Sequence, residues 1–332
     1  MLQYHRTVEA FCTYPFQRIK VTSEGDVTMS CFQEKKCLGN ILKKDVQQIW
    51  DSALANQIRE FTEQGKLHPT CQVSSCPHYN SNNRKPITVS YCPHPVELEI
   101  DLPSQHCNIG KENPTKKNPA CIMCERHRLN NFHQEDRLEE ICEILRPHMR
   151  NIRQLHIQGI AEPFWKGKIF ELLDWLNFNK DRCSITTTTN GTLMNKATRD
   201  KFLSYPSSTL TWSLDAGSPE VFKAIRRLNA YSTVVRNLKA YANEREPSQK
   251  VHIHNNINTI NICDVMKMVE LAAEANVDRL DFNPSYYVPA IEVNPSNAHI
   301  FRDAQERIIE RAEELNVNVT FMRPFVPCTD GS

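Results

Sequence analysis

Leu98-Glu99-Ile100-Asp101-Leu102, followed by Cys107 and then by Cys121-Ile122-Met123-Cys124, is the stretch that decides the reading of this chain. Apolar and acidic residues alternate over the first five positions, the two-residue period of a half-buried strand. Pro103 and Ser104 end that strand, and a loop carrying three thiols follows at once. Cys121 and Cys124 have the spacing at which one short turn aims two sulfurs at one metal. Between Cys107 and that pair lies a lysine-, asparagine- and proline-rich insert, Gly110–Pro119, which cannot itself pack a core. Three thiolates at a strand's end, with no evident fourth, suggest a metal site with one open coordination position. Open positions are where metals do chemistry, whereas closed four-thiolate sites are usually structural. The alternative is a zinc knuckle completed by His106 or His127.

The 332 residues suffice for one large domain and a small one. An apolar content of 40% and a charged content of 24% are those of an ordinary globular protein. The formal net charge is +1 and no basic run stands out, so a nucleic-acid partner is not expected. No apolar run is long enough to span a membrane, and Met1–Pro15 lacks the apolar core of a signal peptide; the expected compartment is the cytoplasm. Thiols stay reduced there, so 13 clustered cysteines argue for metal or redox chemistry rather than disulfides.

Residues from about Phe11 to Pro93 form a cysteine-rich unit. Arg18–Val21 and Val27–Cys31 read as a hairpin turning at Glu24–Asp26, which brings Cys12 and Cys31 towards the same end. Asp45–Phe61 reads as one amphipathic helix with Val46, Ile49, Trp50, Leu54, Ile58 and Phe61 on one stripe. Cys71 and Cys76 follow in a polar loop. A hairpin and one helix make too small a core to be stable alone, and units of this kind usually need a metal. Four of these cysteines are read as one cluster site; Cys37 and Cys92 are spare, either as further ligands or as ordinary thiols.

From Val96 onward strand, loop and helix repeat. Strands are expected at Val96–Leu102, Gln154–Gln158, Ser184–Thr188, Thr209–Ser213, Val251–Ile257, Arg279–Phe282 and Val317–Met322. Helical patterns between them include Glu135–Leu145, Phe170–Leu176, Pro219–Arg227, Val265–Ala275 and Ala298–Leu315. Ser218 before Pro219, and Asp264, are expected N-caps. Repeated βα units imply a parallel sheet with right-handed crossovers, open or rolled into a barrel. Cys142, Cys183 and Cys263 are expected as small core residues.

Polar signatures fall after successive strands: the three cysteines, then Gly159-Ile160-Ala161-Glu162-Pro163, then Thr189-Asn190-Gly191-Thr192, then Ser213-Leu214-Asp215-Ala216. Active sites of parallel α/β folds lie at this carboxyl edge. The set resembles the core of the radical S-adenosylmethionine (SAM) superfamily. The cysteines are similar to its cluster ligands, Gly159–Pro163 to its Gly-Gly-Glu-Pro motif, and Ser213–Ala216 to its Ser-x-Asp-Ala motif. Arg226 matches the arginine that commonly follows. The first cysteine gap is longer than the family's, with thirteen intervening residues, while the Cys121–Cys124 gap keeps the usual two. The second strand motif also departs, with Ile160-Ala161 where the family has small residues.

The resemblance covers about Val96 to Met322. It implies an α/β fold, a partial (β/α)6 TIM-like barrel over residues 95–332, and a [4Fe–4S] cluster on Cys107, Cys121 and Cys124 whose open iron chelates SAM. One electron would split SAM to methionine and a 5′-deoxyadenosyl radical that takes hydrogen from substrate. By match, Gly159 and Glu162 would hold the SAM amino group, and Asn190, Ser213 and Arg226 its ribose or carboxylate, with Asp215 in the same cofactor-binding set. An electron donor such as flavodoxin or ferredoxin is implied.

The first ninety residues resemble a SPASM domain, an auxiliary iron–sulfur module that normally follows the barrel. The matching residues are Cys12-Thr13-Tyr14-Pro15-Phe16, Gly25-Asp26-Val27, Cys31, Leu38–Ile41, Ile49–Ser52, Cys71 and Cys76-Pro77. This implies one auxiliary [4Fe–4S] cluster on Cys12, Cys31, Cys71 and Cys76 within residues 1–94. Members with this module most often modify peptides or proteins, so a peptide substrate ranks first and a sugar or other small metabolite second. A zinc-stabilised binding protein without catalysis is the reading of a different class.

Periodicity adds an expectation of its own. Buried parallel strands usually read as continuous apolar runs, but these alternate. The polar set should therefore face a lumen that is wet or ligand-filled, or else form a self-satisfied network. On the first account Asp101, Gln158, Thr188, Ser213, Asn256 and Asn283 touch ligand, with His156 and His254 one layer deeper.

Overall fold

The structure, a computed structural model, describes residues 6–29, 37–71, 87–109, 121–124, 136–285, 288, 290–294 and 296–321. The chain divides into two compact units: residues 1–105, 133–161 and 167–185, and residues 106–132, 162–166 and 186–332.

The first unit runs β1 (Arg6–Ala10), α1 (Tyr14–Gln17), β2 (Arg18–Val21), β3 (Asp26–Thr28), β4 (Gly39–Asn40), α2 (Val46–Trp50), α3 (Ala53–Glu63), β5 (Ile87–Tyr91), β6 (Glu97–Asp101), α4 (Leu138–Leu145), β7 (Gln154–Gln158) and α5 (Lys168–Trp175). The expected hairpin forms, with β2 and β3 antiparallel and Lys20 opposite Thr28. Gly25 supplies the left-handed backbone its turn needs, at φ +82°. The outer edge of β2 is not left open. It pairs in parallel with β6, Arg18 opposite Glu97 and Lys20 opposite Glu99, while β6 pairs in parallel with β7. The strand expected at the start of the core thus has a strand from the cysteine-rich segment on one side.

The single helix expected over Asp45–Phe61 is two helices. Asp45 caps the first, its Oδ1 accepting from Gln47 N at 2.8 Å, and Ser52 caps the second by accepting from Ala55 N at 3.3 Å. Asp51 and Ser52 compete with the helical backbone through their short polar side chains, and Ser52 restarts the chain from an extended conformation. The break lets Arg59 lie 4.3 Å over the Trp50 ring and donate to Trp50 O at 2.9 Å.

The second unit holds β8 (Ser184–Thr189), whose first two residues belong to the first unit, then α6 (Lys196–Leu203), β9 (Ser208–Ser213), α7 (Pro219–Arg226), α8 (Tyr231–Glu244), β10 (Lys250–Ile257), α9 (Val265–Glu274), β11 (Arg279–Pro284), α10 (Ala298–Glu314) and β12 (Val319–Phe321). Strands β9, β10, β11 and β12 pair in that order, all parallel. Alternation is strict in β9 and β10, where Leu210, Trp212, Val251 and Ile253 are fully buried while Thr209, Thr211, His252 and His254 are half-buried; in β11 Asp281 is buried between the fully buried Leu280 and Phe282. Each large apolar side chain so buried contributes about 1.5–3 kcal/mol.

Two expected caps act otherwise. Ser218 and Asp264 occupy N-cap positions of α7 and α9, but neither side chain caps its own helix. Asp264 instead accepts from Gly217 N at 2.7 Å and Ser218 Oγ at 2.9 Å, tying the two helix starts together. Cys142 and Cys183 are buried as expected, but Cys263 is exposed. In the short turn Ile262–Asp264 the inward position is taken by Asp264, 2% exposed. Among the described residues no helix is long and apolar enough to cross a membrane.

Candidate active site

Within the second unit the thiol loop is anchored before it meets any ligand. Cys124 N donates to Cys121 O at 3.2 Å, closing the turn that carries both sulfurs. Ile122 N donates to Ile225 O at 3.0 Å, and Met123 packs with Ile225 and Ile291. The pair is therefore fastened to the last turn of α7. Arg226, the next residue of that helix, reaches back: Nη1 donates to Cys121 Sγ at 3.7 Å, and Nη2 to Ser213 O at 2.9 Å, to Ser213 Oγ at 2.8 Å and to the Asp215 carboxylate. Asp215 also accepts from Asn256 N at 2.9 Å, and its carbonyl from Asn261 Nδ2 at 2.8 Å. The buried Nε of Arg226 has no acceptor among the described residues.

The second and third motifs are joined through Glu162. Its carboxylate, 0% exposed, accepts from Asn190 N at 2.7 Å, Thr189 Oγ1 at 2.8 Å and Phe164 N at 3.2 Å. Burial outweighs those donors and pushes its pKa up to about 7. Asn190 Nδ2 donates to Asn108 Oδ1 at 2.8 Å, Asn108 Nδ2 to Thr192 Oγ1 at 2.9 Å, and Thr192 Oγ1 to Asn190 Oδ1 at 2.6 Å, a closed ring beside Cys107. Gly191 at φ +75° lets this turn lie against Trp212, whose ring an added Cβ would meet at 2.3 Å.

In the first unit the acidic face of β6 meets cations from β2. Arg18 bonds Glu97 at 3.0 Å and Glu99 at 3.1 Å, and Lys20 bonds Glu99 at 3.1 Å and Asp101 at 2.8 Å. Arg18 Nη2 lies 2.8 Å from His156 Nε2; since a guanidinium only donates, Nε2 is the acceptor and the ring is neutral. Burial first, then the Arg18 charge, lower the His156 pKa to about 3. Of the two arrangements expected for these polar faces, the one seen at Glu97, Glu99 and His156 is a mutually satisfied network. Asp101 keeps one buried oxygen without a partner among the described residues. Its pKa is raised, burial outweighing Lys20. Gly159 follows β7 at φ +110°, and a Cβ there would lie 2.7 Å from Leu102 O. No residue but glycine fits between these two strand ends.

The remaining expected site residues are placed as follows. Gln158 is exposed, and Thr188 is half-buried. Burial lowers the His254 pKa, with Asp215 and Asp281 opposing that shift. Asn283 Oδ1 is buried without a partner among the described residues. Cys12, Cys71, Cys107 and Cys124 are half-buried thiols. Cys31 and Cys76 lie outside the described residues, as does Met322. Among the described residues no three histidine, cysteine or acidic side chains are already gathered as a metal-ligand group. The donor chemistry nevertheless fits an iron–sulfur cluster: soft thiols on a fixed turn, with a guanidinium placed to offset thiolate charge. Sequence reasoning missed Arg18, Lys20 and Asn261. Arg18 and Lys20 carried a signal in their two-residue spacing, which puts both on one face of a strand.

Residues 12–77 match the SPASM family model, described as an iron-sulfur cluster-binding domain. No curated protein matches the chain. Among solved structures the fold is similar to that of Streptococcus suis SuiB bound to S-adenosylmethionine, with a TM-score of 0.51, 19% identity, and coverage of 68% of this chain and 50% of that one. SuiB bound to its precursor peptide SuiA aligns at TM-score 0.51 and 16% identity over 95% of this chain and 72% of that one. This chain thus spans about half of SuiB in the first comparison.

Proposed function

We propose that this chain is a radical SAM enzyme acting on a peptide, with a SPASM-type auxiliary module in residues 1–94 and a partial (β/α)6 barrel in residues 95–332. The observation that carries the reading is Arg226, which links Cys121 of the thiol turn to Ser213 and Asp215 at the end of β9. A zinc knuckle has no use for that link to a second strand end. The match of residues 12–77 to an iron-sulfur cluster-binding domain and the likeness to a SAM-bound fold support the same reading.

Cys107, Cys121 and Cys124 would hold a [4Fe–4S] cluster, and Cys12, Cys31, Cys71 and Cys76 an auxiliary one. When bound, the cluster and SAM supply one-electron cleavage to a hydrogen-abstracting 5′-deoxyadenosyl radical. The chain's own residues position the reactants. Gly159, Glu162, Asn190, Ser213, Asp215 and Arg226 shape the SAM site. Glu162 does so by fixing the Asn190 turn, and Arg226 offers its Nε, which has no acceptor among the described residues. Asp101, Gln158, Thr188, His254, Asn256 and Asn283 form the substrate-facing set, Asp101 and Asn283 each with an oxygen unpaired among the described residues, while His156 stands one layer deeper with its Nε2 taken by Arg18. A flavodoxin or ferredoxin would supply the electron, in the cytoplasm. Peptide ranks above small metabolite because the SuiB structure that aligns over 95% of this chain holds a precursor peptide.

The test is anaerobic incubation of reconstituted protein with SAM and a reductant, with and without short peptides encoded beside its gene. Formation of 5′-deoxyadenosine, and a mass change in one peptide, is expected. Protein carrying zinc alone and leaving SAM intact would overturn the reading.

A further inference from the structure

Within the first unit the amino ends of four strands open on a cavity of about 840 Å3. Gln17, Val96, Arg153 and Cys183, each the residue just before β2, β6, β7 or β8, line it. It lies at the opposite ends of these strands from Gly159, which follows β7.

Its charge is one-sided. Arg146, Arg150, Arg153 and Arg182 line it, and among the described residues no aspartate or glutamate does. Arg146 is tethered, its Nε donating to Trp175 O at 2.5 Å and its Nη2 lying 3.9 Å from Glu143. Among the described residues the side chains of Arg150, Arg153 and Arg182 have neither a carboxylate at ion-pair distance nor a hydrogen-bond acceptor. Elsewhere Arg18, Arg199, Arg226, Arg245, Arg279 and Arg311 each meet a carboxylate, whereas the other described arginines without one, such as Arg227 and Arg302, do not line this cavity. The whole chain carries only +1, so this is a local excess and not a reflection of overall charge. Like charges around one cavity repel, and an anion that enters relieves that repulsion.

We propose that this cavity binds an acidic peptide segment of another polypeptide. Guanidinium groups pair with carboxylates through two parallel hydrogen bonds, and four around one opening suit several carboxylates in sequence. The volume is at the upper part of the range for ligand pockets, room for a short chain segment. Gln17, Asn151 and Asn177 add amide groups that can bond a peptide backbone. Among the described residues no phenylalanine, tyrosine or tryptophan lines the cavity, and its one aromatic ring, the His94 imidazole, is held by Gln47 at 2.7 Å, which favours a peptide over a nucleotide. The inference stands on these charges and does not depend on the bound polypeptide being the one that is modified.

A labelled hexaglutamate peptide, titrated into the full chain and read by fluorescence anisotropy, tests it. Saturable binding that weakens as salt rises to about 0.3 M is expected, since exposed pairs are screened. The triple variant R150Q/R153Q/R182Q should bind about tenfold more weakly or worse, each exposed pair contributing a fraction of that. Its thermal unfolding should match the parent, because the three side chains hold nothing. Should the triple variant fail to fold, each single variant is read in its place, with about two- to threefold weakening expected. Arg137→Gln, a half-buried arginine outside the lining, should bind like the parent. Absence of saturable binding, parent-like binding by the triple and single variants, or displacement of the peptide by pyrophosphate at lower concentration than by unlabelled hexaglutamate would overturn it, the last by showing a phosphate site.

Discussion

Arg226 donates from Nη1 to the sulfur of Cys121 at 3.7 Å while its other terminal nitrogen holds Ser213 and Asp215. One buried side chain thus fixes the distance between the thiol turn and the end of a core strand. Asp215 is 1% exposed, so the cation beside it is what makes that carboxylate tolerable. Arg226→Met should destabilise the protein by about 3–5 kcal/mol, because a buried charge is left uncompensated. Adding Asp215→Asn should recover part of that loss, since the amide keeps an oxygen for Asn256 N. Urea unfolding of the two single variants and the double variant measures the coupling; strictly additive losses would show that the pair is not a unit.

Two glycines separate backbone strain from crowding. Gly159 and Gly167 both have positive φ, +110° and +74°, but only Gly159 has neighbours where a side chain would stand. Gly167→Ala should cost about 1 kcal/mol for the left-handed backbone. Gly159→Ala should cost several times more, or prevent folding, since its Cβ would have to displace the Leu102 backbone. Equal losses in the two variants would contradict the close approach.

The attachment of β2 to β6 depends on Arg18. Replacing it with methionine leaves Glu97 and Glu99 without that partner and His156 Nε2 without a donor, and should cost about 3–5 kcal/mol. Lys166→Met, on an exposed lysine without a carboxylate partner among the described residues, is the control and should be near neutral. Parent-like stability of Arg18→Met by urea unfolding would remove the ion network as the tie.

Acid sensitivity has a sign set by His156. Its folded pKa, about 3, lies below the ordinary 6.5, so the unfolded chain takes up a proton first. The stability it contributes is complete above pH 6.5 and drains as pH falls toward 3. Glu162 runs the other way: raised from 4.5 to about 7, it contributes fully below pH 4.5 and loses that contribution as pH rises through 7. Between pH 7.5 and pH 5 the parent should lose about 2 kcal/mol through His156 that His156→Gln does not. Identical pH slopes for parent and variant would place the acid sensitivity elsewhere.

Much of this was legible in the sequence, for local reasons. Alternation located the strands of the core because one face of each is apolar, and the motifs were found because they directly follow those strands. What escaped is long-range or competitive. The parallel pairing of Arg18 with Glu97 joins residues 79 positions apart, and no local pattern announces a partner at that distance. The break at Ser52 escaped because the apolar stripe of Asp45–Phe61 continues in phase across it. Ser218 and Asp264 read as caps from type and position, yet they bond each other, which only the approach of α7 to α9 decides. Cys263 reads like Cys142 and Cys183, and only the short turn ahead of α9 turns it outward.

The central claim is that Cys121 and Cys124 belong to a catalytic cluster separate from the auxiliary one. The direct measurement is iron content and SAM cleavage of the anaerobically reconstituted Cys121→Ala/Cys124→Ala variant beside the parent. The account predicts about eight irons per chain in the parent, about four in the variant, and no 5′-deoxyadenosine from the variant. Loss of all iron, or unchanged cleavage of SAM, would contradict it.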